Sequence, residues 1–341
     1  MLLVLVMAMG ILTGCGSKEN EQPENTDGQT DADGAAGGTD EPIKDDVTIR
    51  IGGLKGPTSI GLVKLMEDNE AGTSKNDYDF TVAGAADELT PKLIQGELDI
   101  AAVPSNLASV LYNNTEGAVQ LLAINTLGVV YIAAKGVDIT SVEQLRGQTI
   151  YATGKGSTPE YALRYVLQEN GIDPDSDVTI EWKSEPTEVV ALLQQSESGI
   201  AMLPQPYVTV AQTQVEGLGI ALDLTEEWDK VSDGSMLVTG TLVVRKEFAQ
   251  EHPEALKAFM EEYEASTEYA NTNVADAAQL VEQFDLFKAA VAEKAIPYCN
   301  ITFIAGEDMK EPMEGYLNVV YSQEAKAVGG AMPGDDFYYV Q

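Results

Sequence analysis

The chain has 341 residues, 55 acidic against 20 basic, and a formal charge of -35 with its single histidine neutral. That excess excludes a nucleic-acid binder, whose affinity for phosphate comes from clustered Lys and Arg that release counterions. One histidine and two cysteines leave too few ligands for most Zn sites, and a Ser-His-Asp or Cys-His mechanism would have to run through His252. With 44% hydrophobic residues the chain can bury a core, and its length fits about two domains of average size.

Residues 1–13 are almost wholly apolar, well short of the roughly 20 residues that a spanning helix needs. A cleaved signal peptide over 1–14 is therefore expected rather than a membrane anchor. The run ends in Leu12-Thr13-Gly14-Cys15, which resembles the lipobox of bacterial lipoproteins, where cleavage leaves the cysteine as a lipidated first residue. A signal peptide opens with positive charge, and no Lys or Arg stands in this run; a short basic segment upstream of Met1 is expected. Residues 15–46 carry many Asp and Glu among Gly, Thr, Asn and Ala, without apolar periodicity. Such a segment cannot offset its ordering entropy and reads as a disordered acidic tether. With Cys15 lipidated, Cys299 has no partner and reads as a buried, inert thiol.

From Val47 onward, strand, Gly-rich turn, helix, strand, helix and strand follow one another, the grammar of an α/β sheet. Strands are expected at 47–51, 78–82 and 98–103, with helices ending near Asp68 and spanning 87–95. The same order recurs one hundred positions later, with strands at 149–152, 178–182 and 199–203 and helices at 159–171 and 187–195. Without gaps, Lys55 aligns with Lys155, Gly56 with Gly156, Thr58 with Thr158, Glu88 with Glu188, Leu93 with Leu193, and Pro104 with Pro204. Two lobes of like topology are implied. Ser157 with Glu160, and Thr140 with Glu143, stand at capping-box spacing.

Turns at the carboxyl ends of parallel strands are where α/β sheets bind ligands. One set of rim positions is Lys55, Gly56, Thr58 and Ser59, with Lys155, Gly156, Ser157 and Thr158; these supply donors and helix starts. The other is Ser105 and Asn106 after Pro104, with Gln205 and Tyr207 beside Pro204, where amides could pair with a ligand and Tyr207 could stack on one. Each of these Gly, Ser and Thr residues has a plainer role available, shaping a turn or a cap. Glu160, Glu185 and Glu188 add negative charge near the same turns, so an anionic ligand does not follow. Tyr131, Tyr161 and Trp182 are aromatic candidates for the wall, with core packing an equal alternative for Trp182. The Gly154 turn is not a phosphate loop, because G-x-x-x-x-G-K-[ST] is not met.

At this point the chain resembles the substrate-binding lipoproteins of bacterial ABC importers, in the group of sulfonate-binding, thiamine-precursor-binding and NMT1/THI5-like proteins. The carrying segments are Leu12 to Cys15, Gly96-Glu97-Leu98-Asp99-Ile100-Ala101, the run from Ser141 to Ile150, and Val243-Val244-Arg245-Lys246-Glu247-Phe248 followed by His252-Pro253-Glu254-Ala255-Leu256. The resemblance implies a two-lobed periplasmic-binding-protein type II fold, α/β in class, each lobe a mixed sheet flanked by helices. Lobe 1 would comprise 47–126 and 240–341, lobe 2 residues 127–239, with hinge crossings near 125–129 and 238–242. Helical patterns at 253–270 and 275–287 would return to lobe 1. It further implies a small-molecule solute, an ABC permease as partner, no cofactor, no metal, a monomer, and a place outside the cytoplasm on a lipid anchor. Two alternatives stay open: an enzyme on the same fold, of pyrimidine-synthase or menaquinone-pathway type, and a ligand sensor at the cell surface.

Overall fold

The computed structural model describes residues 47–340; the signal peptide expected over 1–14, Cys15 and the tether expected over 15–46 lie outside the described residues. The first sheet begins with β1 (Thr48–Leu54), α1 (Pro57–Ile60), α2 (Val63–Glu70), β2 (Asp77–Ala83), α3 (Thr90–Ile94), β3 (Ile100–Pro104), α4 (Ser105–Asn114) and β4 (Val119–Thr126). Side chains alternate across a strand, so Ile49 and Ile51 of β1 are fully buried while Thr48 is exposed. Residues 100–103 of β3 are buried on both faces, as an apolar run inside a covered sheet must be.

The second sheet follows with β5 (Val130–Lys135), β6 (Thr149–Ala152), α5 (Thr158–Glu169), β7 (Thr179–Trp182), α6 (Pro186–Gln195), β8 (Gly199–Pro204), α7 (Tyr207–Gln214), β9 (Leu218–Asp223) and α8 (Leu224–Val231). The chain then returns through β10 (Gly240–Arg245), α9 (Lys246–Glu251), α10 (Pro253–Thr272), α11 (Val274–Gln283), α12 (Ala289–Ala295), β11 (Ile301–Ala305) and α13 (Lys310–Gln323).

Strand order is β11-β4-β10-β3-β1-β2 in one sheet and β7-β6-β8-β5-β9 in the other. In the first, β1 is parallel to β2 and β3, and β10 is antiparallel to β3. In the second, β6 is parallel to β7 and β8, and β5 is antiparallel to β8. The internal repeat is thus a repeat of topology. Even its apolar pairs do equivalent work: Ile100 sits opposite Ile51 and Ile200 opposite Ile150, while Leu93 and Leu193 are both fully buried.

Two crossings join the sheets. Leu127, Gly128 and Val129 carry the chain from β4 to β5, and the stretch before β10 carries it back. They are tied to each other: the Thr239 amide donates to the Thr126 carbonyl at 3.0 Å, and the Ser105 amide donates to the Thr239 carbonyl at 3.2 Å. At the sheet end away from the turns, Asp99 accepts from Arg50 Nε at 2.8 Å and from Arg245 at 3.3 Å, joining β1, β3 and β10.

Three local expectations need correction. Glu160 does not close a capping box with Ser157; its carboxylate accepts from the Gly156 amide at 2.6 Å, and the Ser157 hydroxyl donates to the Gly154 carbonyl. Glu160 thus reaches back one residue further than the capping-box spacing implied, across a turn with Gly154 and Gly156 at positive φ. Ahead of β6 the cap is Ser141 with Gln144, not Thr140 with Glu143, and the helix is a 3-10 turn over Val142–Leu145. The helix read over 87–95 breaks into a 3-10 turn, Ala86–Glu88, and the short α3, because Pro91 lacks an amide to continue a single α-helix from the earlier start.

The helix α13 does more than complete one lobe. Its Tyr316 hydroxyl shares a 2.7 Å hydrogen bond with Thr158 of α5, and Gln323 donates to the Tyr161 carbonyl at 3.2 Å. Just beyond it, the Ala327 carbonyl accepts from Asn106 and the Val328 carbonyl from Ser109, both of α4. The segment therefore packs on elements of both sheets.

Candidate functional site

The turns after β1, β2, β3 and the crossings meet those after β6, β7 and β8 around a cavity of about 520 Å³. Its wall includes Lys55, Gly56 and Thr58 from one lobe and Lys155, Ser157 and Thr158 from the other, with Gln205 and Tyr207. Repeat-related turns thus contribute both halves. Asn106 and Gly156 line an adjoining cavity of about 370 Å³ that shares Ala86, Pro104 and Ser157 with the first. Ser59 and Ser105 are fully buried and line neither.

Most of the wall is apolar: Leu54, Val129, Ala85 and Ala86 with prolines at 57, 104, 159, 186 and 204. Proline recurs because it starts helices at the first turn and cannot continue a strand. The hydroxyl oxygens of Thr58 and Thr239, both wall residues, are buried without a hydrogen-bond partner. Tyr207 stands edge-on to Phe287 with ring centroids 5.3 Å apart. Burial, and then the Glu185 charge, hold its hydroxyl above the ordinary tyrosine pKa, so it serves as a neutral donor. The Gln205 side-chain oxygen accepts from Thr209 at 2.8 Å, which fixes the amide's orientation.

Charge on the wall is balanced between lobes. Lys55 and Asp87 come from one, Lys155 and Glu185 from the other. Among the described residues, none of the four has an ion-pair partner. Asp87, Thr126, Thr153 and Thr239 were not singled out in the sequence. They stand between motifs, and only the folded turns bring them to the wall.

The aromatic candidates separate. Tyr131 is buried and donates to the Tyr298 carbonyl at 3.0 Å, and Trp182 packs on the core; neither lines the main cavity. Tyr161 lines the adjoining one. His252 lies between α9 and α10, its ring 5.2 Å from Phe248, and Cys299 is buried; both stand outside the cavity. Among the described residues no group of three or more His, Cys, Asp and Glu is placed to hold a metal, and no helix is long and apolar enough to cross a membrane.

Two lobes of like topology, joined by paired crossings around a shared cavity, define the type II periplasmic-binding-protein fold. The NMT1-like family matches residues 78–283, and the chain belongs to that family. Among solved structures, an ABC transporter protein from Parabacteroides distasonis superposes with a TM-score of 0.73 at 23% identity, covering 86% of this chain and 99% of that one. The periplasmic aliphatic sulphonate binding protein SsuA from Escherichia coli gives 0.69 at 15% identity, covering 86% and 92%. The periplasmic nitrate-binding protein NrtA from Synechocystis gives 0.55 at 15%, covering 74% and 68%. No curated protein matches the sequence.

Proposed function

We propose that the chain is the solute-binding lipoprotein of an ABC importer, held outside the cytoplasm by a lipidated Cys15, capturing a small molecule between its lobes and delivering it to a permease. The observation that carries this is the cavity of about 520 Å³ walled by equivalent turns of both lobes, within the usual range for a small-molecule site. The similar structures, an ABC transporter protein and sulphonate- and nitrate-binding proteins, support the same reading. The ligand acts by stabilising the closed arrangement, which it can do only by binding that arrangement better than the open one. No nucleophile is required of the protein, and the monomer suffices because one chain supplies both halves of the wall.

The test is thermal stability of the unfolded and refolded, ligand-stripped protein against a solute panel. A solute at about a thousand times its dissociation constant adds roughly 4 kcal/mol, raising the melting temperature of a body this size by about 7 °C. The expected result is one such solute, recovered chemically unchanged. Recovery of a converted product would instead favour the enzyme reading.

A further inference from the structure

The turns that would attract an anion are already occupied by the chain's own carboxylates. Glu88 accepts from the amides of both Gly84 and Ala85 at 3.1 Å; Glu188, its repeat equivalent, accepts from the Glu185 amide at 3.1 Å. Glu160 accepts from the Gly156 amide at 2.6 Å. Gly84, Ala85 and Glu185 are wall residues of the main cavity, and Gly156 of the adjoining one. Backbone amides at helix starts are the groups that bind sulfate, phosphate or carboxylate in other proteins. Here an internal carboxylate holds the cap amide, or the amide just before the cap, in three separate turns, two of them related by the repeat. The Lys55 and Ser157 amides are also spent, on the carbonyls of Ala83 and Gly154.

The remaining charges point the same way. Lys55 and Lys155 are matched on the wall by Asp87 and Glu185, and Glu88, Glu160 and Glu188, bonded to amides of the same turns, make the sum of these charges negative. An anion would meet those charges and would find the amides of Gly84, Ala85, Gly156 and Glu185 already taken, so less is left to offset its desolvation. A solute bearing both donors and acceptors meets complementary groups from each lobe, and the apolar remainder of the wall covers its body.

From this we infer that the cleft takes a compact, partly apolar solute without net negative charge, neutral or zwitterionic, and that Glu88, Glu160 and Glu188 act as built-in anion substitutes that exclude sulfonate-like and phosphate-like ligands. The inference rests on the solute-capture reading for its purpose, but its electrostatic content is testable without knowing the solute.

The probe is inorganic sulfate, followed by titration calorimetry so that its general salting effect on stability does not intrude. Wild-type protein is expected to give no saturable isotherm. The triple variant Glu88→Ala, Glu160→Ala, Glu188→Ala is expected to gain one, at least about tenfold tighter than any wild-type binding, and to lose it on adding Lys55→Ala and Lys155→Ala. If the alanine variant does not fold, the Glu→Gln triple removes the charge while keeping a side chain that can hold the turn, and the same gain is expected. Saturable sulfate binding by the wild type that the lysine changes abolish overturns the inference. So does failure of every folded triple variant to bind sulfate. The solute panel decides the capture reading separately: an anionic hit there keeps capture and sinks the charge assignment, whereas a converted solute sinks capture.

Discussion

At the residue scale, the buried ionisable side chains set the protein's behaviour in alkali. Burial holds the Cys299 thiol above its ordinary value of 9.0, and burial likewise raises the hydroxyls of Tyr131, Tyr207 and Tyr316 above 10.0. Because these folded-state values exceed the unfolded ones, their contribution to stability is complete below the unfolded pKa and is lost as pH rises beyond it. The urea midpoint should therefore fall from about pH 9, each group adding up to about 1.4 kcal/mol per pH unit once its unfolded form ionises. In Cys299→Ala the fall should begin about one unit later. A wild-type midpoint that stays level through that interval would show that the thiol is not held neutral by burial. Some of this was legible in sequence, since an unpaired cysteine in an apolar stretch reads as buried. Asp87 was not legible, because its place on the wall is set by where the turn after β2 breaks, and a 3-10 turn leaves no periodicity to read.

Among the elements, the strands were the easiest to read from sequence, and their ends the hardest. Runs such as Ile100-Ala101-Ala102-Val103 announce a covered strand, and the hundred-residue repeat announced its counterpart. The turn geometry was harder. Spacing alone put a capping box at Ser157, whereas in a loop with two glycines at positive φ Glu160 reaches past Ser157 to Gly156. The first residue of β10 offers a sharper case. A Cβ on Gly240 would lie 2.6 Å from Thr58 Cγ2 and 2.8 Å from Asn125 Oδ1, while one on Gly219 of β9 would meet nothing within 4 Å. Gly240→Ala should cost roughly 1–3 kcal/mol by overpacking and weaken solute binding through Thr58, which lines the cavity. Gly219→Ala should do neither. Denaturant titration of the two variants, with the panel's best solute, checks both halves; equal behaviour would mean that the start of β10 yields freely to the added methyl.

For the whole molecule, the sequence disclosed two lobes but not how the C-terminal segment ties them. Nothing in the periodicity of 310–323 tells which lobe its apolar face meets. That face is Met313, Tyr316, Leu317 and Val320, and it reaches Thr158 on one side while the residues after it hold α4 on the other. Lobe motion must therefore be accommodated by the two crossings and by this third strap together. In the capture reading a solute shifts the relation between the lobes without being changed. Gln95 and Gln195 are exposed, repeat-equivalent positions on opposite lobes, and Cys299 is buried, so spin labels at Gln95→Cys and Gln195→Cys in a Cys15→Ser background report that relation directly. The solute which raises the melting temperature should also shift and narrow the distance distribution, and be recovered intact. A distribution unchanged at saturating solute, or a solute consumed during the measurement, would contradict that reading.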